Sequence, residues 1–415
     1  MSFPPFKTDM DSWIAWGEHI YRVGPGGFYD NIWSDYAPGY YYILWVVTAF
    51  KHLFFANATR EATEFIYKIP PLIFDLMSGV VIYALLNDLL TNRKKLARYL
   101  PEITAFAYIL NPVTTFNGVI WGQVDNVFTC FLLLSLLAIN KNKLYWGTIL
   151  YVIAGVIKPQ AISLLPLYFL LFIYKKDYIL TIKNMAVGVI TFYVLTIPFF
   201  GLNALYKMFN LMKESVNTYP YSSLNSFGLW GAIGFWKNDT GPFILGYSVQ
   251  TVGTVLYGFS ALVGMVLGIR LLGVKDKIIR ARNTMLLGSY FILSFVMLMS
   301  RMHERYLFPF FAFVTLFVAL SAYPYFNKSK EYGWMKVGLP IAFYIIFTIL
   351  HTINLYYVYV QYQYFDVGVP VANNLYHLIS TNINIFSYIM IITYAMFVIM
   401  LLHLVGKTTS EKAYE

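Results

Sequence analysis

The feature that most constrains the fold of this chain is a series of long apolar runs separated by short polar stretches. A helix needs about 20 apolar residues to cross a bilayer core roughly 30 Å thick. The runs therefore predict an all-α polytopic membrane protein with about 11 transmembrane helices. They lie at about 70–90, 100–119, 124–140, 144–157, 161–174, 184–200, 249–272, 283–300, 305–323, 336–358 and 383–404.

The composition agrees with a membrane protein and excludes other classes. The chain of 415 residues is 59% hydrophobic and 12% charged, whereas a soluble domain carries about 25% charged residues. Its net charge of +10 comes from basic residues in short clusters between the apolar runs, which is typical of positive-inside topology and not of a nucleic-acid surface. We therefore expect membrane lipid, and no nucleic acid, as a partner. The single Cys130 excludes an internal disulfide and a cysteine-based metal site.

The basic clusters mark one face of the protein as cytoplasmic, because they alternate with basic-poor loops in register with the eleven runs. The opposite, non-cytoplasmic face then carries every unusual polar group of the chain. These groups lie in residues 1–69, 121–125, 158–160, 201–248, 301–305 and 359–382. Their convergence predicts one functional site on that face.

Residues 1–69 form an outer acidic loop in this topology, and its apolar segment 40–55 is predicted to be re-entrant or interfacial. The aromatic residues Tyr40, Tyr41 and Tyr42 would then lie at headgroup level. The loop 201–248 begins with an amphipathic piece and is predicted to act as a lid. Plain anchoring at the interface explains the same composition.

The runs 144–157 and 161–174 are 14 residues each, which is short of a full crossing. The break between them, Lys158-Pro159-Gln160, indicates a broken helix whose polar residues face a cavity. The alternative is a lysine that reaches the interface from a tilted hairpin.

A cluster of ionisable residues separates two of the apolar runs. Helical spacing would place the guanidiniums of Arg301 and Arg305 one above the other, with His303 and Glu304 beside them. A guanidinium presents a planar fork of donors that suits a phosphate or diphosphate. The alternative is a short charged turn that anchors two helix ends.

The acidic pair Asp9 and Asp11 lies near the start of the chain, before Asp35 and Tyr36. Two carboxylates at this spacing can cap a helix, bind a divalent cation or supply a general base. A cationic cluster on the same face favours the base, because glycosyl transfer needs both a proton acceptor and cations for a leaving phosphate. The buried acid Asp75 is better explained by a hydrogen bond between helices than by catalysis.

The motifs occur in the order seen in GT-C glycosyltransferases, which this chain resembles over most of its length. The motifs are Asp9-Met10-Asp11 with Trp16, Asp35-Tyr36-Ala37-Pro38, Trp121-Gly122-Gln123-Val124-Asp125, Lys158-Pro159-Gln160 and Arg301-Met302-His303-Glu304-Arg305-Tyr306-Leu307. The chain looks closest to bacterial membrane mannosyltransferases related to the second mannosyltransferase of glycosylphosphatidylinositol synthesis. It is more distantly similar to the dolichyl-phosphate-glucose glucosyltransferases.

This resemblance implies a GT-C-like bundle with a non-cytoplasmic catalytic loop, in a bacterial or archaeal plasma membrane with the active site outside. Residues 1–404 would form one transmembrane domain, followed by a short cytoplasmic tail, 405–415. Such families carry a helix before the acidic loop, so a first helix is expected to be absent here, where Asp9 follows only eight residues.

The resemblance also implies an inverting hexosyltransferase that uses a polyprenyl-phosphate mannose or glucose donor and a glycan, lipid or protein acceptor. Asp9 would be the base and Asp11 would orient it or the acceptor. The predicted substrate-binding residues are Arg301, His303, Glu304, Arg305, Lys158, Gln160, Trp121, Gln123, Asp125, Asp35 and Tyr36. Asp125 could equally cap the helix that begins near it.

No cofactor is expected, because protein cations could neutralise the donor phosphate. A divalent metal on the acidic pair is the less favoured alternative. Two other functions fit a polar site in broken helices: a transporter or flippase of a lipid-linked or anionic sugar, and a lipid-linked glycan polymerase or ligase.

Overall fold

The protein is helical throughout nearly all of the chain that a computed structural model describes, residues 4–90, 93, 95–328, 334–367 and 373–412. The one sheet in these residues is a hairpin of β1 (Pro242–Ile244) and β2 (Tyr247–Ser248). The helices are α1 (Lys7–Val23), α2 (Gly39–Phe54), α3 (Arg60–Leu89), α4 (Leu100–Ile109), α5 (Pro112–Thr115), α6 (Asp125–Asn140), α7 (Leu144–Ile157), α8 (Leu165–Tyr174), α9 (Tyr178–Phe200), α10 (Ala204–Thr218), α11 (Leu229–Ile233), α12 (Val249–Leu272), α13 (Lys277–Leu298), α14 (Phe308–Lys328), α15 (Leu339–Val367), α16 (Asn373–Thr381) and α17 (Ile383–Lys412).

Length and composition qualify seven of the described helices as membrane spans. The pair Ala97–Ile109 and Pro112–Trp121, bent by 45°, would be an eighth. Three shorter apolar segments, Asp125–Asn140, Leu144–Ile157 and Pro159–Tyr174, account for the rest of the eleven apolar runs. The all-α polytopic membrane fold is therefore confirmed, although three of the eleven runs form helices too short to qualify alone.

The contacts of the described residues group them into two compact units. The first takes in the described residues of Met1–Val81, Thr114–Ile162 and Ile179–Tyr219. The second takes in those of Ile82–Val113, Ser163–Tyr178 and Pro220–Glu415. The expectation of one domain over residues 1–404 stays a prediction. The part of the expected tail that is described, 405–412, continues α17.

In the first unit, α1 packs against α2 through aromatic residues. The ring of Trp13 meets those of Tyr36 and Tyr40 edge to face, and Trp16 meets Tyr41 in the same way. Tyr40 and Tyr41 are fully buried, and the headgroup level expected for these two rings stays a prediction. They fill the core because the amphipathic α1 turns its apolar stripe toward α2.

Close backbone contact joins α2 to α7 in the first unit. A Cβ atom added at Gly39 would lie 2.6 Å from the backbone nitrogen of Ile157, so a side chain there would push the helices apart. Glu18 of α1 accepts hydrogen bonds from Lys51 Nζ at 2.7 Å and pairs with His52 Nε2 at 2.8 Å. This polar contact fixes the far end of the α1–α2 pair.

In the second unit, α13 and α14 are the most deeply buried spans. Gly288 on α13 faces the ring of Phe313 on α14 with no room for a Cβ atom. Polar caps set the starts of two helices: the Ser248 side chain accepts from Thr251 N at 3.2 Å, and Asp276 accepts from the first-turn nitrogens of α13 at 2.8 Å.

Candidate active site

Asp9 lies on α1 and is held by the motif that begins at Trp121. Its Oδ2 atom accepts a hydrogen bond from Trp121 Nε1 at 2.7 Å and a second from Gln123 Nε2. The donor side chains are fully buried, whereas Asp9 is half-buried. Both donors described for this carboxylate bind Oδ2, so Oδ1 receives none from the described part of the chain. The structure thus brings together three of the predicted site residues.

The shape of the Trp121 motif explains how its two donors reach one oxygen. Residues Phe116–Trp121 form a π-helical turn, and Gly122 follows it with a φ of 82° in the left-handed region, which glycine adopts at little cost. The carbonyl of Asn117 accepts from the backbone nitrogens of Gly122 at 3.1 Å and Gln123 at 3.0 Å. The chain therefore reverses directly after Trp121, and both side chains point to Asp9.

The residue before α1 adds to this contact. The ring of Phe6 stacks on that of Trp121 with 4.4 Å between centroids, and Phe6 N donates to the Trp121 carbonyl at 3.3 Å. These contacts fix the start of α1 against the turn. The position of Asp9 is therefore fixed in two ways: by the contact of the start of α1 with the turn, and by the hydrogen bonds to its carboxylate.

Asp11 faces a different neighbourhood. Residues two apart on a helix point about 200° apart, and Asp11 forms ion pairs with Lys7, at 2.8 Å, and with Arg60. Burial raises the pKa of Asp11, but the hydrogen bonds and charges of Lys7 and Arg60 outweigh burial and hold that pKa below its usual value. A carboxylate in this state is a weak base, and its role in orienting Asp9 or the acceptor stays a prediction.

Asp125 and Lys158 form a buried ion pair in the first unit. Lys158 Nζ donates to Asp125 Oδ1, and both side chains are almost fully buried. Asp125 opens α6 but caps none of its nitrogens, so the capping alternative is wrong. A donor phosphate would have to share Lys158 with this carboxylate.

The break after α7 is present as predicted. Lys158 is extended, and Pro159–Leu164 form a 3-10 helix before α8. Gln160 has a buried Oε1 atom without a hydrogen-bond donor in the described residues. Its contact with substrate stays a prediction.

Tyr36 and Asp35 precede α2. The Tyr36 ring packs against Trp13 and Trp16 of α1, and its carbonyl accepts from Tyr29 OH at 2.8 Å. These contacts give Tyr36 a place in the support of α1. The predicted substrate contacts of Asp35 and Tyr36 stay predictions.

The buried acid Asp75 on α3 bonds to a neighbouring helix. Asn126 Nδ2 of α6 donates to Asp75 Oδ2. The interpretation of Asp75 as a hydrogen-bonding group between helices is therefore confirmed.

In the second unit, Arg301 is engaged by a carboxylate that the sequence did not single out. Its Nε and Nη2 atoms donate to the two oxygens of Asp239, each at 2.8 Å, and Ser300 Oγ donates to the same group at 3.0 Å. Arg301 has a φ of 63°, so it does not continue a helix. The predicted helical stacking of Arg301 on Arg305 is wrong, because the chain turns sharply between the two apolar runs.

The rest of the cationic cluster follows Arg301. Glu304–Leu307 form a 3-10 helix, and Arg305 Nη1 donates to Glu304 Oε1 at 3.2 Å. His303 Nδ1 lies 3.4 Å from Arg305 Nη1 and 3.9 Å from Glu304 Oε2. The cluster thus holds a histidine, a carboxylate and a guanidinium within contact of each other.

Residues from the predicted lid segment pair with this cluster. Ser222 O accepts from Arg301 N at 3.2 Å, and Leu224 N donates to Met302 O at 3.0 Å. The segment is closed on itself by the bond from Ser222 N to Lys237 O at 2.7 Å. A lid movement of residues 201–248 stays a prediction.

Sequence reasoning missed several polar residues that support these clusters. Asn117 and Asn126 lie inside apolar runs, where a buried amide is a usable signal because it needs a partner. Asp239 lies in a polar loop and gives no such signal. Its role depends on a contact with Arg301, 62 residues away, which no local pattern encodes.

The described residues thus form an all-α membrane fold with buried ionisable groups and with a half-buried carboxylate that an indole and an amide hold. A family model described as glycosyltransferase family 87 matches residues 67–301, more than half of the sequence. The chain belongs to glycosyltransferase family 87. A search of curated proteins finds no match.

The family match confirms the predicted glycosyltransferase and its multi-pass membrane location. It includes Trp121, Gln123 and Lys158 and ends at Arg301. Asp9 and Arg305 lie outside the matched residues, so their roles depend on the contacts of this chain. The closer resemblance to mannosyltransferases stays a prediction.

Proposed function

We propose that the protein transfers a hexose from a polyprenyl-phosphate donor to an acceptor hydroxyl on the non-cytoplasmic side, with inversion and with Asp9 as general base. The observation that carries the proposal is the state of the Asp9 carboxylate. Trp121 and Gln123 fix one oxygen, and the half-buried side chain can turn the other toward an acceptor. A general base must be oriented toward the proton that it accepts.

The reaction needs one proton transfer and one displacement. Asp9 Oδ1 takes the proton of the acceptor hydroxyl while that oxygen forms a bond to the anomeric carbon. The bond from this carbon to the phosphate oxygen breaks on the opposite side, and polyprenyl phosphate leaves with both bonding electrons. Attack opposite the leaving group inverts the anomeric carbon. Hydrogen bonds from Trp121 and Gln123 keep the carboxylate in line for this step.

The leaving phosphate gains negative charge in the transition state, where fixed cations help most. Arg305 and His303 are proposed as its ligands. Arg301 is less suited, because its guanidinium is already bound by both oxygens of Asp239. The proposal needs no cofactor.

The test compares Asp9→Asn with Asp11→Asn in proteoliposomes that contain a short-chain polyprenyl-phosphate mannose or glucose and an acceptor extract. Asp9→Asn is expected to lower turnover by about 10²–10⁴-fold with donor binding retained, because an amide cannot accept the acceptor proton. Asp11→Asn serves as the matched control and is expected to cost much less.

Near wild-type turnover of Asp9→Asn would overturn the assignment of the base. A donor flux across the vesicle membrane with no transfer would instead support a transporter. Parallel assays with the mannose donor and the glucose donor identify the hexose that the enzyme transfers.

A further inference from the structure

The first unit contains a hydrogen-bonded series of three buried polar side chains that the proposed reaction does not use. It joins Asp75 on α3, Asn126 on α6 and Asn117 in the π-helical turn. Asn126 Nδ2 donates to Asp75 Oδ2, and Asn117 Nδ2 donates to Asn126 Oδ1 at 2.5 Å. The exposed fraction of each residue is 5% or less. Polar groups buried in membrane helices are costly and mark function by default.

This hydrogen-bonded series ends at the π-helical turn, next to the two side chains that donate hydrogen bonds to Asp9. Asn117 binds Asn126 through its side chain, and its carbonyl accepts from the backbone nitrogens of Gly122 and Gln123. Because Asn117 makes both contacts, the position of the turn depends on the position of α6. Short π-helical segments are frequent at functional sites, where they redirect side chains.

Gly118 brings the turn directly against the same groups. A Cβ atom at this position would overlap Asp75 Oδ2 and would lie 2.5 Å from Asn126 Nδ2. The backbone of the turn at Gly118 is therefore in direct contact with the Asp75 carboxylate and the Asn126 amide. A hydrogen bond between α3 and α6 alone would require neither this approach nor the continuation to Asn117.

We propose that Asp75 is a positioning residue for transfer: through Asn126 and Asn117 it sets the turn that places Trp121 and Gln123 on the Asp9 carboxylate. The inference rests on the proposed role of Asp9 as base. Asp75 acts here as a hydrogen-bond acceptor and not as a reacting acid. Replacement by asparagine, which keeps an acceptor oxygen, is therefore expected to preserve its role.

Replacement by asparagine breaks no hydrogen bond at the second oxygen. Asp75 Oδ1 is buried and has no hydrogen-bond partner in the described residues. In Asp75→Asn an amide nitrogen can occupy that place while the carbonyl oxygen still accepts from Asn126. In Asp75→Ala the acceptor is lost and the Asn126 amide must reorient.

The first readout does not depend on catalysis. The full-length protein in nanodiscs is labelled with 5-fluorotryptophan, and the Trp121 resonance is assigned with Trp121→Phe. Asp75→Ala is expected to move this resonance, because the indole N–H contact with Asp9 changes, and Asp75→Asn is expected to leave it in place. Thr129→Val is the matched control, since in the described residues the buried Thr129 hydroxyl bonds only to the Asp125 carbonyl within α6.

A Trp121 resonance that stays unmoved in Asp75→Ala would overturn the inference, provided that its melting temperature matches that of Thr129→Val. An equal movement in Asp75→Asn would overturn it as well. Should Asp75→Ala fail to fold, Asn126→Ala interrupts the same hydrogen-bonded series one residue later and is judged by the same resonance.

The second readout is turnover with the polyprenyl-phosphate hexose. Asp75→Ala is expected to lower kcat about a hundredfold with KM for the donor unchanged, as displacement of a catalytic group by about 1 Å can do. Asp75→Asn is expected to stay close to wild type, and loss of turnover in this variant would assign Asp75 a catalytic role instead. A wild-type protein without transfer would refute the proposed function, whereas the resonance would still decide the positioning role.

Discussion

At the scale of single residues, the sequence predicted candidate side chains but not the partners that bind them. Asp9, Trp121 and Gln123 were all predicted site residues, and the structure adds that the indole and the amide bind the Asp9 carboxylate. Arg301 was assigned to phosphate, and the structure pairs it with Asp239. Partners so distant along the chain depend on the fold, and the fold is not encoded in a local motif.

The two arginines of the cationic cluster are expected to respond differently to the same conservative change. Lysine keeps the charge but loses the planar fork. Arg301→Lys cannot satisfy both oxygens of Asp239, so it is expected to destabilise the protein by about 1.5–3 kcal/mol. Arg305→Lys is expected to lower donor affinity about ten- to a hundredfold at an unchanged melting temperature.

Both quantities are measured on one preparation in detergent, with a soluble donor analogue for affinity and thermal unfolding for stability. Asp239→Asn is the companion variant, since it weakens the ion pair from the other side and must reproduce the stability loss. If donor affinity falls equally in both arginine variants, Arg301 contacts the donor phosphate as the sequence predicted.

At the scale of elements, the helical state of α1 decides what the acidic pair can do. The side chains at positions 9 and 11 point to opposite sides of the helix, and their partners are Trp121 for Asp9 and Arg60 for Asp11. Sequence spacing alone left a metal site open. One ion cannot bind both carboxylates while α1 remains helical.

Transfer is therefore expected to continue in the presence of a chelator. Turnover is measured before and after treatment with EDTA, and again after addition of Mg²⁺ or Mn²⁺. Loss of activity on chelation, with recovery on addition of either ion, would show that the acidic pair binds a metal and that α1 unwinds to do so.

The contact between α1 and α2 is expected to depend on pH through Glu18. Burial raises the pKa of Glu18, but hydrogen bonds from Lys51 and His52 outweigh burial and hold the pKa below its ordinary value of 4.5. Because the folded-state pKa is the lower one, the stabilisation is complete above the ordinary value and disappears as pH falls through the folded-state value.

The melting temperature of wild type is compared with that of Glu18→Gln from about pH 6 to about pH 3.5. The difference is expected to be roughly 1–3 °C at the upper end and to shrink toward zero at the lower end. Glu214→Gln, at an exposed position on α10, is the control. A difference that grows with acidity would contradict the ion-pair assignment.

At the scale of the whole molecule, hydropathy predicted the helical membrane fold and the place of each long helix. It did so because lipid leaves the backbone few alternatives. It gave no sign that Tyr40 and Tyr41 pack in the core of the first unit, since an aromatic ring suits both a core and an interface. It also could not foresee the π-helical turn at Phe116–Trp121, which depends on buried amides from separate helices.

The orientation in the membrane is the remaining prediction at this scale, and the basic clusters carry it. Lysines and arginines near the ends of the spans are retained on the cytoplasmic side, so Lys275 before α13 is expected inside and Thr240 before α12 outside. Both residues are exposed in the second unit, and α12 separates them. Each is changed to cysteine in a Cys130→Ala background, which leaves one thiol per protein.

Intact cells are treated with a membrane-impermeant maleimide before and after permeabilisation. Thr240→Cys is expected to react in intact cells, and Lys275→Cys only after permeabilisation, because the reagent reaches one side of the bilayer at first. The reverse pattern would place the basic clusters outside and would move the proposed transfer to the cytoplasmic side. Reaction of both thiols in intact cells would mean that α12 does not cross the membrane, although its 24 residues are long enough to do so.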